Sequence, residues 1–216
     1  MGIPMPSRVF LLSPASCSGN RARLLLSPSA RFEMAEQLRS PGGAPLGEVF
    51  SFISQLYFRG KLAYGRAFAR PPRNSGQSAA GDGVLVITTS RGLVPWNENA
   101  TLETLSEFAG VEMRGDGVYA RELERGARAL AECLSPEDQV VLLGSIASDK
   151  YVGVLAEVFQ SRQLFPRDFV GRGDMSRGGL MLRAARAGRE LDYIPLVGSV
   201  RHGVRPPRLE PERRSG

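Results

Sequence analysis

Gln139–Phe159, QVVLLGSIASDKYVGVLAEVF, reads as a strand, a turn and a helix in immediate succession. Gln139 to Leu143 form a short buried strand, and Gly144-Ser145 break it. Val152, Leu155, Ala156 and Phe159 then recur at helical spacing. Ser148 is of the type that caps a helix N-terminus, and Asp149 suits its positive end. A parallel strand that passes at once into a helix leaves unpaired N–H groups at the carboxyl edge of the sheet. Lys150 and Tyr151 stand in the first turn of that helix. The phosphate-loop pattern G-x-x-x-x-G-K-[ST] and the dinucleotide pattern G-x-G-x-x-G are both missing here.

Working outward, two more stretches read as central strands. Arg8 to Leu12 (RVFLL) and Val84 to Thr88 (VLVIT) are apolar on both faces, as buried parallel strands must be. The first runs into Ser13-Pro14-Ala15-Ser16-Cys17-Ser18-Gly19-Asn20, small residues able to present backbone N–H groups, followed by Arg21. The second runs into a loop with Ser90, Arg91 and Gly92, where Trp96 either walls a pocket or caps the core. Gln163-Leu164-Phe165 is a short strand leading to Gly171-Arg172-Gly173-Asp174-Met175-Ser176-Arg177-Gly178-Gly179, read as a loop before a helix over 180–187. That loop is the densest polar cluster in the chain; it either contacts a ligand or is an Arg–Asp brace at a helix entry.

Between the strands lie helical patterns. Leu46 to Ala69 is the longest, with Leu46, Val49, Phe50, Ile53, Tyr57, Gly60, Tyr64 and Phe68 in one stripe and Lys61 at its border. Thr101 opens a short helix through a capping box with Thr104, and Tyr119 to Leu134 is an amphipathic covering helix. Pro71 to Gly83 is rich in Pro, Gly and Ser and reads as a flexible internal loop. Residues 1–200 therefore make one α/β domain, with a short, mostly parallel sheet between helical layers. Residues 201–216 form a basic, Pro- and Arg-rich tail expected to be disordered.

Bulk properties narrow the chemistry. At 216 residues the chain suits one domain with a real core, and no apolar run approaches a membrane span. The apolar run after Arg8 is too short for a signal peptide, and Pro6 spoils a myristoylation signal at Met1-Gly2. Two cysteines, Cys17 and Cys133, fit free thiols in a reducing cytoplasm. His202, the only histidine, lies in the tail, so neither a Ser-His-Asp triad nor a metal site is expected, and no cofactor is implied. Proton transfer must then use Asp, Glu, Lys or Tyr. Of the net charge of +6, the tail carries +3 through five arginines and two glutamates. Only two of the 28 basic residues are lysines, Lys61 and Lys150.

With right-handed crossovers, the four loops after Leu12, Thr88, Leu143 and near Gly171 open at one sheet edge. The site expected there has Asp174, held ionised by its arginines, and Lys150 as catalytic candidates. Its binding candidates are Ser13, Ser18, Arg21, Ser90, Arg91, Gly92, Gly144, Ser145, Tyr151, Gly171, Arg172, Gly173, Ser176 and Arg177. Basic groups outnumber acids, which favours a nucleotide, nucleoside or similar small anionic ligand. The order RVFLLS, SQLYFRGKLAYGRAF, VLVITTSRGLVP, VVLLGSIASDKYVGVL and VGRGDMSRGGLMLR resembles a broad group of uncharacterised bacterial Rossmann-like domains. Those carry a strand ending S-x-x-H-G-L-V-x-P; here Arg91 stands before the glycine, so no His-dependent chemistry is implied. The resemblance implies a three-layer Rossmann-like domain and no particular activity. Two other readings stay open: a nucleic-acid-associated module using the Arg-rich tail, and a non-catalytic partner-binding protein.

Overall fold

The computed structural model describes residues 5–72, 79–113, 117–146, 149–200, 203–207 and 209. Six strands form one sheet: β1 (Arg8–Leu12), β3 (Val84–Ile87), β4 (Leu93–Pro95), β6 (Gln139–Leu143), β7 (Gln163–Pro166) and β8 (Tyr193–Pro195). Their order is β4-β3-β1-β6-β7-β8. The four inner strands run parallel, with Phe10 opposite both Val84 and Val141, while β4 and β8 close the edges antiparallel. Val9–Leu12, Leu85–Ile87 and Val140–Leu143 are fully buried, which accounts for their lack of polar alternation. A separate two-stranded pair joins β2 (Ala44–Pro45) to β5 (Asn99–Ala100). The molecule is thus a three-layer α/β domain with a mostly parallel central sheet.

The helices divide by chain direction. After β1 come α1 (Asn20–Leu26), α2 (Glu33–Arg39), α3 (Leu46–Ser54) and α4 (Leu56–Phe68); α4 lies on β1 and β3. Beyond β5 comes α5 (Leu102–Gly110), followed by α6 (Val118–Glu132) and, after β6, α7 (Asp149–Phe159); α6 and α7 pack together. Finally α8 (Asp174–Arg186) returns to pack against α4. The chain leaves β1 towards β3, then crosses back over β1 to β6 and continues to β7. Right-handed crossovers put those two halves on opposite faces, so a crevice opens at the carboxyl ends of β1 and β6.

Several expectations are corrected. The long helix over 46–69 is two, because Gln55 takes a positive φ of 51° and ends α3 before α4 begins. The segment after β3 is a hairpin: Thr88 N–H and Oγ1 both donate to Gly92 O, Gly92 sits at φ +66°, and β4 returns along β3. The Gly-rich stretch 174–179 is helix rather than loop. Its Gly178 stands where α8 crosses α4 at Gly60, and a Cβ on Gly60 would meet Gly178 O at 2.5 Å. Part of the loop over 71–83 is packed: Ala80 is fully buried, and Asp82 accepts from Val84 N–H (3.1 Å) and Trp96 Nε1 (2.6 Å). Trp96 therefore packs on the core and braces the β3–β4 hairpin, under the Arg66 guanidinium. In the tail, Val204 O lies against Gly171 and Arg172 Nη1 donates to Pro207 O (3.3 Å), so this stretch packs on the entry to α8.

At the amino edge of the sheet, Arg8 is ion-paired with Glu190, which also accepts from the Tyr193 hydroxyl (3.0 Å). The Tyr193 and Tyr64 hydroxyls bond to each other at 2.6 Å. Asp138 accepts from Ser7 N–H (2.6 Å) and Ser135 N–H (2.9 Å). This edge is closed by its own hydrogen bonds. Among the described residues no helix is long and apolar enough to cross a membrane.

Candidate functional site

Where β1 and β6 end side by side, the ladder extends one step further as Ser13 N–H donates to Leu143 O (3.1 Å). Beyond that bond the two chains part, β1 into the serine-rich loop and β6 into Gly144-Ser145. The gap is a cleft of about 740 Å³, within the range of small-molecule sites. It draws on all four carboxyl-edge loops: Ser13, Ser16, Cys17 and Ser18 after β1, Thr89 after β3, Ser145, Lys150 and Tyr151 after β6, and Asp174 after β7. Phe108, Val111 and Met113 at the end of α5 supply an apolar wall.

Gly144 is required here for space. A Cβ on it would stand 2.8 Å from Ser13 Cβ and 3.0 Å from both Ser13 Oγ and the Tyr151 hydroxyl. Only a glycine lets those two hydroxyls share the junction of the strands. The Tyr151 hydroxyl donates to Ser145 O at 2.9 Å, fixing the ring against the turn, and burial raises its phenol.

Beneath Ser13 lies Lys61, fully buried on α4. Its Nζ donates to Ser13 O at 2.6 Å and lies 2.9 Å from Ser13 Oγ. The rings of Tyr57 and Phe58 complete its surroundings, at 4.3 and 4.7 Å from Nζ. Burial pulls the amine down from 10.5 to about 7, opposed by the negative charge of Asp174. Tyr57 lines the cleft with 8% exposure, and its hydroxyl makes no hydrogen bond of good geometry, although Arg177 is close by. Burial raises its phenol too, so it remains a donor. Cys17 is pushed up from 9.0 to about 12 by burial, which leaves it a thiol and no nucleophile at neutral pH.

Asp174 is well exposed at the mouth, with Arg177 in ion-pair range at 3.5 Å. Arg177 itself is buried and donates through Nε and Nη2 to Phe169 O (3.3 and 3.0 Å), bracing the entry to α8. Lys150 is exposed at the cleft rim.

Six of the residues expected from the sequence therefore line the cleft: Ser13, Ser18, Ser145, Lys150, Tyr151 and Asp174. Gly144 lies directly against it. The others are placed elsewhere. Arg91 pairs with Glu107, which also accepts from Ser90, and Gly92 turns the hairpin against Glu122 O. Arg21 stacks on Phe52 and donates to Phe52 O (2.7 Å). Arg172 donates to Ser176 Oγ (3.3 Å) and, with Gly173, borders a separate hollow against Pro206 and Pro207. Gly171, at φ +72°, admits the backbone of Val204. Arg21, Arg91 and Arg172, expected together at the site, are each held by an oxygen elsewhere. Ser148 and His202 lie outside the described residues, as do Arg201, Arg208, Arg213 and Arg214 of the basic tail. Lys61 and Tyr57 were missed as site residues; the signal available was a lysine kept at the border of an apolar stripe in a chain that otherwise uses arginine. Among the described residues no group of His, Cys, Asp and Glu is arranged to hold a metal. No family model, no curated protein and no solved structure matches the chain, so its chemistry is read from the cleft itself.

Proposed function

We propose that the protein binds and acts on a small anionic metabolite, nucleotide-like in size, in the cleft over Ser13. The observation that supports this is the position of the cleft, at the reversal point of strand order, with residues from every carboxyl-edge loop. The hydroxyls of Ser13, Ser16, Ser18 and Ser145 suit phosphate or carboxylate oxygens, and Lys150 at the rim supplies positive charge. Phe108, Val111 and Met113 offer the apolar surface that a base or acyl chain would cover.

The test is thermal denaturation with nucleoside mono- and triphosphates, the parent nucleosides, and phosphate alone. A rise of several degrees with one anionic class, reduced in Lys150→Ala and unchanged in Arg172→Ala, is the expected result. No rise with any of them, or a rise equally lost in Arg172→Ala, rejects this site.

A further inference from the structure

The floor of the cleft holds a pair that ligand binding alone does not require. A leucine or methionine would fill the place of Lys61 between Tyr57 and Phe58 without desolvating an amine. Among the described residues no carboxylate lies in ion-pair range of Lys61, and Asp174, the acid that acts on it, is turned largely to solvent. Burial therefore favours the neutral amine, which has two N–H donors and one lone pair. Nζ donates to Ser13 O at 2.6 Å and to Ser13 Oγ at 2.9 Å; once the amine is neutral, the second contact is short enough for its lone pair to accept the hydroxyl proton instead. The groups facing this pair are Tyr57 and Phe58 from α4, Tyr151 from α7 and Asp174 from α8, with Arg177 behind Tyr57. Independently, Tyr57 is more than nine-tenths buried and borders the cleft, and its buried hydroxyl lacks a well-formed hydrogen bond.

We infer that Ser13 is a nucleophile and Lys61 its general base, and that the cleft transfers the acyl group of an ester or thioester whose other end is anionic. This rests on the cleft being the ligand site. Lys61 takes the proton from Ser13 Oγ as Oγ bonds to the acyl carbon, and the carbonyl oxygen becomes an oxyanion. The Tyr57 hydroxyl donates to that oxyanion. The intermediate collapses, the bond to the alcohol or thiol breaks, and the leaving group departs with the proton held by Lys61. Water, giving a proton to Lys61, then attacks the acyl-serine; the carboxylic acid leaves and Ser13 regains its proton.

Diisopropyl fluorophosphate, a small reagent for activated serines, tests this on the full chain by intact mass and peptide mapping. One adduct on Ser13 is expected, absent in Ser13→Ala, with a rate that rises with pH through about 7. Lys61→Met should slow labelling about 100-fold or more. Tyr57→Phe should slow it while the adduct stays on Ser13. If Lys61→Met does not fold, the pH profile of the wild-type chain decides. No adduct, an adduct elsewhere, or a rate flat across pH 6–9 overturns the inference. Labelling that fails while nucleotides still raise the melting temperature removes the nucleophile and leaves the binding site; failure of both removes the site.

Discussion

At the scale of single residues, Lys61 and Gly144 give the sharpest expectations. Lys61 titrates near 7 in the folded chain against 10.5 when unfolded. Between those values the unfolded chain holds a proton that the folded one lacks, so this group makes stability rise with pH. Below 7 both states are protonated, and the full cost of burying an ammonium is felt. Cys17 and the buried tyrosines act in the opposite sense above about pH 9, since their folded forms keep protons that the unfolded forms lose. The difference between wild type and Lys61→Met cancels those terms. Wild type should gain about 2–3 kcal/mol on the variant from pH 7 to pH 9, read by urea denaturation. Gly144→Ala forces a methyl to 2.8 Å from Ser13 Cβ, which should cost about 1–3 kcal/mol and abolish any ligand-induced rise in melting temperature. Gly144 was legible in the sequence as a turn, but Ser13, one of the two hydroxyls it makes room for, lies over 130 residues earlier, beyond any local signal.

Elements were legible where periodicity was strong. The three apolar strand runs and the Thr101 capping box formed as expected, with Thr104 N–H meeting Thr101 Oγ1 at 3.5 Å. The glycines of 171–179 misled, because the same residue serves a flexible turn and a close helix crossing. Only the partner helix distinguishes the two, and Gly60 belongs to a segment more than a hundred residues earlier. The crossing makes a paired prediction. Gly178→Ala would place a Cβ 2.6 Å from Leu56 O, within rigid helix backbone, and should cost about 3 kcal/mol. One position on, Gly179→Ala meets only Leu209 Cδ1 at 3.5 Å and gains alanine's helical preference; it should stabilise by about 0.5–1 kcal/mol. Equal effects in urea denaturation would mean that α4 and α8 are not this close. Likewise the arginines at 21, 91 and 172 read as anion ligands, yet a guanidinium with five donors settles on whichever oxygens neighbouring elements bring within reach.

For the whole molecule, the sequence carries the layer order because alternating strand and helix patterns admit few topologies. It does not carry the smallest strands: β4, β2 and β5 are two or three residues long, too short for an alternation to register. Arg8 of the first strand and Glu190, just before β8, share an ion pair. Glu190→Ala leaves a buried guanidinium without its carboxylate and should lower stability by about 2 kcal/mol, with little change in ligand binding at the opposite edge. The same short edges bear on how the protein behaves in crowded solution. Both margins of the sheet are three-residue strands ending in proline, Pro95 on one side and Pro195 on the other. A proline offers no N–H to an incoming chain, so each margin lacks a donor that a further strand would need. Behind them sit runs such as Val140–Leu143 that would polymerise readily if left at a border. The two prolines act as gatekeepers, keeping a sheet of aggregation-prone strands from growing from one molecule to the next.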